Sequence, residues 1–564
     1  MAAKILPEAM LTLRPPETVM RLDRLGSFHH CRLSFMRILL RRLQRDNWTF
    51  DRPIFEIDRM GEGLAVYTAH GPERAYSLVC FGHDLPQELR SDRVIATAWD
   101  ATFALFDGVP EAGDIDRLSK NVPGQEAGRV SERELALSRA NRSVRLFNHV
   151  VKKLSRGQQP DREKIDAVGY IMRTTAVYGS GKFGVADRET ITDRLEFKAP
   201  FQVEMLAVYL IRVFTIDLVE RMAYLRAPDT AVTLDPDLRR HLGVGNSTGL
   251  GLAPFIVNHP ALFNNWIGAR ETALARIRAK QEATAFEARR FRKLIARAVR
   301  NVELWRSEHP TQVKKLATLR DDLALLRAFA ETESLGGKMP WDRLYRWGEQ
   351  SLSLEGQEQL VSLMLEPHGR DIDDLSYCMS ADEGAVFVID GAMPLSDLRR
   401  IVETVYAFAL ELDWSKPETN ARAWYVSEEK LEPRLGERFD EAVGAYEQPV
   451  SPGRDAVQMH QDIVRWCGEE SVAAFLSRHP EHRHIARRAQ IAAQLPYAEI
   501  RDNTIANDMQ PIDLLRCKLS FFGATHFDPR SDRWVRINMF KNAPFPHELA
   551  AFPFDDWSYP SLTE

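Results

Sequence analysis

The stretch from Phe201 to Arg226, FQVEMLAVYLIRVFTIDLVERMAYLR, decides the fold. Its apolar residues run nearly all round a helix instead of along one stripe, which predicts a helix buried in the middle of a domain. Glu204, Arg212 and Asp217 interrupt it, so a membrane span of about 20 apolar residues is not expected. A guanidinium at Arg212 inside such a helix must find an anionic partner, either a distant carboxylate or a bound substrate. Glu204 sits too far along the helix for the usual i,i+4 pairing. Asp100, inside the apolar run VIATAWDATFALF (94–106), poses the same question with the opposite sign, and Asp100 pairing with Arg212 is one answer.

Two glycine-rich segments flank this helix. The first, RTTAVYGSGKFG (173–184), frees the backbone at Gly179, Gly181 and Gly184 and adds cations at Arg173 and Lys182. It misses the P-loop pattern, with Ala176 and Phe183 where that pattern needs Gly and Ser or Thr, and the residues before it read as helix. An anion-binding loop remains, with Tyr178 as a proton donor. A helix C-terminus followed by a glycine turn is the structural alternative. The second, GVGNSTGLG (243–251), has Thr248 at the third glycine of a dinucleotide fingerprint and follows the helix-like DPDLRRHL. Read as a loop, it offers Asn246, Ser247 and Thr248 as donors to a carboxylate or phosphate. His259 follows, in an N-cap region before Pro260.

Toward the N-terminus, LSFMRILLRRLQ (33–44) sets Leu33, Met36, Leu40 and Leu43 on one helical face, with Arg37, Arg41, Arg42 and Arg45 around the other side. Core docking is expected over a membrane-surface role. Ile54–Asp58, Leu64–Ala69 and Ala75–Phe81, separated by Gly61-Glu62-Gly63 and Gly71-Pro72, read as an antiparallel meander that Val94–Phe106 extends. The pattern then turns helical from about 114 to 366. The segment from Pro260 to about Trp305 reads as one long basic helix or two. Further on, 385–390 and 423–426 resemble strands, and Cys517–Phe522 with Trp534–Phe540 reads as a hairpin around DPRSD. The expected fold is α+β and predominantly α-helical, with an N-terminal antiparallel β-meander and a short C-terminal β-hairpin. Its regions are a helix plus meander (1–110), a helical core with glycine-rich loops and a basic helix (111–366), and a C-terminal α+β region packed on that core (367–564).

Other constellations carry weaker chemistry. In Glu366-Pro-His368-Gly-Arg-Asp371-Ile-Asp373-Asp374, the D-x-D-D of Asp371–Asp374 is similar to the acid motif of class II terpene cyclases. The Thr-Ala that follows it there is Leu375-Ser376 here, and a solvated acidic turn is expected. His526, Asp528 and His547 have the residue types of a two-histidine, one-carboxylate iron site. His479, His482 and His484 lie among arginines, which disfavours a metal and favours an exposed helix start. No metal ligand set is assigned, and the cofactor is unknown.

The chain has 564 residues, 44% of them hydrophobic and 27% charged, with a formal net charge of -5. That composition suits a globular protein with a sizeable core and disfavours nucleic acid as the main partner. Five scattered cysteines without C-x-x-C fit a reducing cytoplasm. The resulting expectation is a soluble cytoplasmic enzyme, lyase- or hydrolase-like, that acts on a small carboxylate or phosphate metabolite by acid–base chemistry. Tyr178, His259 and Asp100 are its catalytic candidates, and Arg173, Lys182, Arg212, Asn246, Ser247 and Thr248 hold the substrate. Membrane is excluded as a partner, and a homodimer is the base-rate expectation. The rival readings are a non-catalytic scaffold that uses the arginine-rich helix and a non-haem metal enzyme.

Overall fold

The computed structural model describes residues 12–86, 98–124, 128–174, 191, 193–249, 260–332, 335–379, 389–416, 424–426, 434–435, 446–448, 452–466, 469–502, 511–525, 527–531 and 534–551. The helix Gln202–Arg226 stands at its centre, with eighteen of its 25 residues buried. At 1.5 Å per residue it is about 37 Å long. It touches strands of a nine-stranded sheet along much of that length. Phe201, just before its first turn, has a left-handed backbone (φ 58°). A cluster of aromatic rings holds it there, with Phe35, Trp266 and Phe522 at centroid distances of 5.0–5.7 Å.

The strands are β1 (Thr49–Ile57), β2 (Gly63–His70), β3 (Ala75–Gly82), β4 (Ala101–Asp107), β5 (Glu134–Arg142), β6 (Tyr170–Thr174) and β7 (Gly243–Gly249). A small separate sheet contains β8 (Trp424–Val426), β9 (Arg434–Leu435) and β10 (Tyr446–Gln448). Then come β11 (Phe527–Ser531) and β12 (Trp534–Met539). The large sheet runs β1-β2-β3-β4-β5-β6-β7-β12-β11, antiparallel except between β6 and β7. Alternation explains its two faces. In β4, Phe103 and Leu105 face the main core, while Ala104 and Phe106 pack on a smaller cluster with Leu118 of the helix Ala112–Asn121 and Val122 at its end.

The fold is therefore helix-rich α+β with an N-terminal meander and a C-terminal hairpin, and the hairpin completes the same sheet. The details depart from the sequence reading at several points. GVGNSTG is not a loop but β7, paired between β6 and β12. The residues before the first glycine-rich segment form β6, not helix. Cys517–Phe522 belongs to the helix Pro511–Phe522, so β12 pairs instead with β11. Of the two alternatives for the basic segment, the structure has two helices, Pro260–Arg278 and Ala285–Leu304. Thr284 restarts the chain through a capping box with Glu287. The stretch 385–388 lies outside the described residues.

Apolar side chains form one large core from Val19 to Met379 that resumes from Tyr497 to Leu549. Between these, Leu395 to Ala492 builds a second cluster of helices. Among the described residues, no helix is long and apolar enough to cross a membrane.

Candidate functional site

The central helix presents Leu210, Val213 and Asp217 to a cleft of about 580 Å³. Its other walls are Trp48, Phe50 and Arg52 on or beside β1, Tyr67 on β2, Arg239 on the helix Pro236–His241, and Phe545 and His547 near the C-terminal end. β1 is an edge strand that carries Pro53, and its register slips between Asp51 and Ile54. Proline is tolerated at an edge, and a bulge of this kind redirects side chains. Arg52, in the slipped segment, reaches across to the helix.

Asp217 organises the cleft. Its Oδ2 accepts hydrogen bonds from Arg52 Nη1 at 2.8 Å and from the Tyr67 hydroxyl at 2.9 Å, and Arg239 Nη2 lies 3.7 Å from Oδ1. Burial, and then the neighbouring Asp217 charge, push the Tyr67 phenol well above its ordinary range, so it stays protonated and acts as a donor. Glu220 sits three residues further along the helix, 3.5 Å from Arg239, and takes the Leu234 N–H at 3.0 Å. Burial outweighs Arg239 there and raises the Glu220 carboxyl. Two carboxyls close together thus occupy different environments: one gathers donors, and the other is pushed toward holding a proton.

Arg212 stands behind this wall, and its partners are not anions. Nε donates to Leu242 O, Nη1 to Ala543 O and Nη2 to Arg240 O, each at 2.8 Å. These carbonyls sit at and after the end of the Pro236–His241 helix and in the chain leading to Phe545. The guanidinium also lies 4.0 Å from the Phe545 ring centre, with Arg239 5.2 Å from the same ring. Arg212 is therefore a positioning residue that joins two walls of the cleft, which corrects the expectation of a buried carboxylate or substrate partner.

Asp100 does not pair with Arg212. It is 1% exposed, accepts the Arg142 backbone N–H at 2.9 Å and lies 3.6 Å from Arg142 Nε. Its own N–H donates to Asn141 Oδ1 at 2.9 Å. Asn141 registers with Arg173 on β6, and Arg173 with Gly245 on β7. The structure thus gathers Asp100 and Arg173 into one row across the sheet, next to Asn141. Asn246 is the next residue along β7, so alternation turns it to the opposite face, where it is buried. Ser247 and Thr248 pair through their main chain with Arg536 and Val535, so they belong to a ladder and not to a helix-entry loop. Their side chains, with Tyr178, Lys182 and His259, lie outside the described residues.

The acidic motif ends in a partly exposed turn, as expected, but its carboxylates are paired with cations. Arg37 holds Glu366 through two contacts of 2.5 Å, and Arg32 holds Asp373 at 2.6 and 2.7 Å. Lys280 takes Asp371 at 2.7 Å, and Arg276 takes Asp374 at 2.8 Å. Arg278 meanwhile donates to Asp342 at 2.9 Å. The basic stripe expected along one long helix is thus partly consumed by ion pairs. Of the iron candidates, Asp528 accepts from Ser307 at 2.8 Å, His547 lines the cleft, and His526 lies outside the described residues.

Arg52, Tyr67, Arg239 and Glu220 do not stand out in the sequence, and Asp217 does so only as an interruption of the apolar helix. A second charge on the same buried helix was the available signal. No protein-family model, no curated protein and no solved structure matches this chain.

Proposed function

We propose that the cleft binds a small carboxylate or phosphate metabolite, and that the protein is a cytoplasmic enzyme acting on it by acid–base chemistry of the lyase or hydrolase kind. The observation that carries this reading is Asp217, which holds Arg52 and Tyr67 at the mouth of a cleft with aromatic walls. Arg52 is the accessible partner, with 44% of its side chain exposed, and a guanidinium fork matches a carboxylate or phosphate. A ligand anion that draws Arg52 and Arg239 toward itself leaves Asp217 with Tyr67 and adds negative charge nearby. Asp217 Oδ2, released by Arg52, then turns a lone pair toward the ligand and takes the part of the base. Glu220, already raised by burial, supplies the complementary proton carrier beside Arg239. Arg212 keeps Phe545 and Arg239 in place and touches no ligand.

Native against denaturing mass spectrometry of the purified protein tests the binding half of this reading. A non-covalent acidic metabolite retained natively by the wild type and absent from Arg52→Gln is the expected result. A retained mass that persists in Arg52→Gln, Arg239→Gln and the double variant would remove the cleft from consideration.

A further inference from the structure

The second helical cluster contains a site of a different kind. Asp462, near the end of the helix Pro452–Arg465, faces His479 and His482, which bracket the short turn between the helices Val472–Arg478 and Arg483–Gln494. One ligand atom from each lies within 4.8 Å of the others. His482 Nε2 is 2.9 Å from Asp462 Oδ2. The His479 and His482 rings stack at 5.8 Å, and Phe475 stacks on His482 and lies tilted against His479. We infer that Asp462, His479 and His482 bind a divalent first-row transition ion of the Zn²⁺ class.

Three observations support the assignment. First, the donor set is two imidazoles and one carboxylate, which suits Zn²⁺ and its neighbours and leaves a coordination position for water. Second, Glu481 Oε1 lies 3.2 Å from His479 Nδ1, so a carboxylate already holds that ring, as carboxylates hold ligating histidines in metal centres. Gln458 likewise reaches Asp462 at 3.3 Å. Third, two of the nearby arginines are engaged elsewhere. Arg478 lies over the Trp466 ring and pairs with Glu470, and Arg488 pairs with Glu499 at 2.5 Å. Arg465 does touch Asp462, at 3.1 Å, but 72% of its side chain is exposed and it can turn away. The objection raised by the sequence, that neighbouring cations repel a metal, is met at Arg488, whose charge is already paired with Glu499.

A contrasting cluster shows why this one is chosen. Glu287, His368 and Asp371 also bring three donor atoms together. There the Lys280 ammonium stands 2.9 Å from Glu287 Oε1 and 2.7 Å from Asp371 Oδ2, so a cation already occupies the carboxylates. Among Asp462, His479 and His482 the hydrogen bond between His482 and Asp462 is what an ion would replace, and the gain is a cross-link between two helices.

The test is titration of the chelator-treated full chain with Zn²⁺, and in parallel with Co²⁺, whose visible absorption reports coordination by nitrogen and oxygen. The wild type is expected to take up one equivalent. Asp462→Asn combined with His479→Ala should weaken uptake by at least about tenfold, the scale on which loss of even an outer-shell partner acts. Both substitutions sit on partly exposed side chains, and the metal-free melting curve of the double variant establishes that it is folded. His484→Ala, whose ring pairs with Asp455 at 3.0 Å, serves as the control and should leave uptake unchanged. A wild type that takes up no ion, or uptake that survives in the double variant, overturns the assignment.

Discussion

Arg212 shows how a single residue can be read correctly in kind and wrongly in role. Its burial was legible because an arginine interrupted an otherwise apolar helix. Its partners were not, because backbone carbonyls some 30 and 331 positions away leave no trace in side-chain types. Burial draws its proton affinity down to about 9, still high enough to keep it charged at neutral pH. Arg212→Met removes donors from three carbonyls at once, and we expect a loss of about 3–5 kcal/mol in denaturant unfolding. Arg212→Lys should rescue little of that, since one ammonium cannot span the three acceptors that the planar fork reaches. Equal stability of the lysine variant and the wild type would contradict this role. Asp100 makes the same point with a carboxylate. Its charge in an apolar run marked it as needing a partner, and that partner is Arg142 on the neighbouring strand.

Among the elements, the periodic ones were legible. The buried helix, the meander and the helix Phe35–Arg45 follow from apolar spacing, which hydrophobic burial enforces directly. β7 is hidden because glycine and small polar residues carry no alternating signal, and β6 because a five-residue run such as YIMRT fits either period; long-range pairing with β12 and β5 decides their state. Cys517–Phe522, the end of the helix Pro511–Phe522, reads as a strand because a short apolar run fits either period. Ion pairs were the other unreadable layer. Glu358, on the helix Leu354–Leu365, receives Arg14 at 2.6 Å, Arg24 at 2.8 Å and Arg270 at 2.5 Å, all with its own side chain fully buried. These contacts fasten the N-terminal segment to two core helices. Glu358→Gln keeps the shape but leaves several guanidinium groups without a buried counter-charge, and a cost of about 3–5 kcal/mol is expected. Limited proteolysis should then cut first in the segment around residues 14–24. First cleavage elsewhere would show that the segment is held by its apolar contacts.

For the whole molecule, buried carboxylates make the fold sensitive to acid. Burial works to raise the Glu355 carboxyl, but Arg516 and His29 outweigh it and hold it down at about 2, against an ordinary 4.5. Glu358 is lowered in the same direction by Arg14 and Arg270, again against burial. A carboxyl with a folded-state value below its unfolded one contributes stability that is fully present above about pH 4.5 and is lost as pH falls toward 2. Unfolding free energy should therefore drop steeply across that window. Glu355→Gln should start lower at neutral pH and fall less across the window. A variant with the same acid slope as the wild type would place the sensitivity elsewhere.

The central claim at this scale is that one cleft combines anion capture with proton transfer, through Asp217 held by Arg52 and Tyr67 and through Glu220 beside Arg239. It is tested most directly by calorimetric titration with a panel of small carboxylates and phosphates, run in buffers of different ionisation enthalpy. The account predicts that a panel member binds one-to-one and that binding draws a proton from the buffer, because an anion that diverts Arg239 removes the positive charge that opposes burial at Glu220. Glu220→Gln should abolish that uptake. Proton uptake that is unchanged in Glu220→Gln, or one-to-one binding that is indifferent to Arg52→Gln, would contradict it.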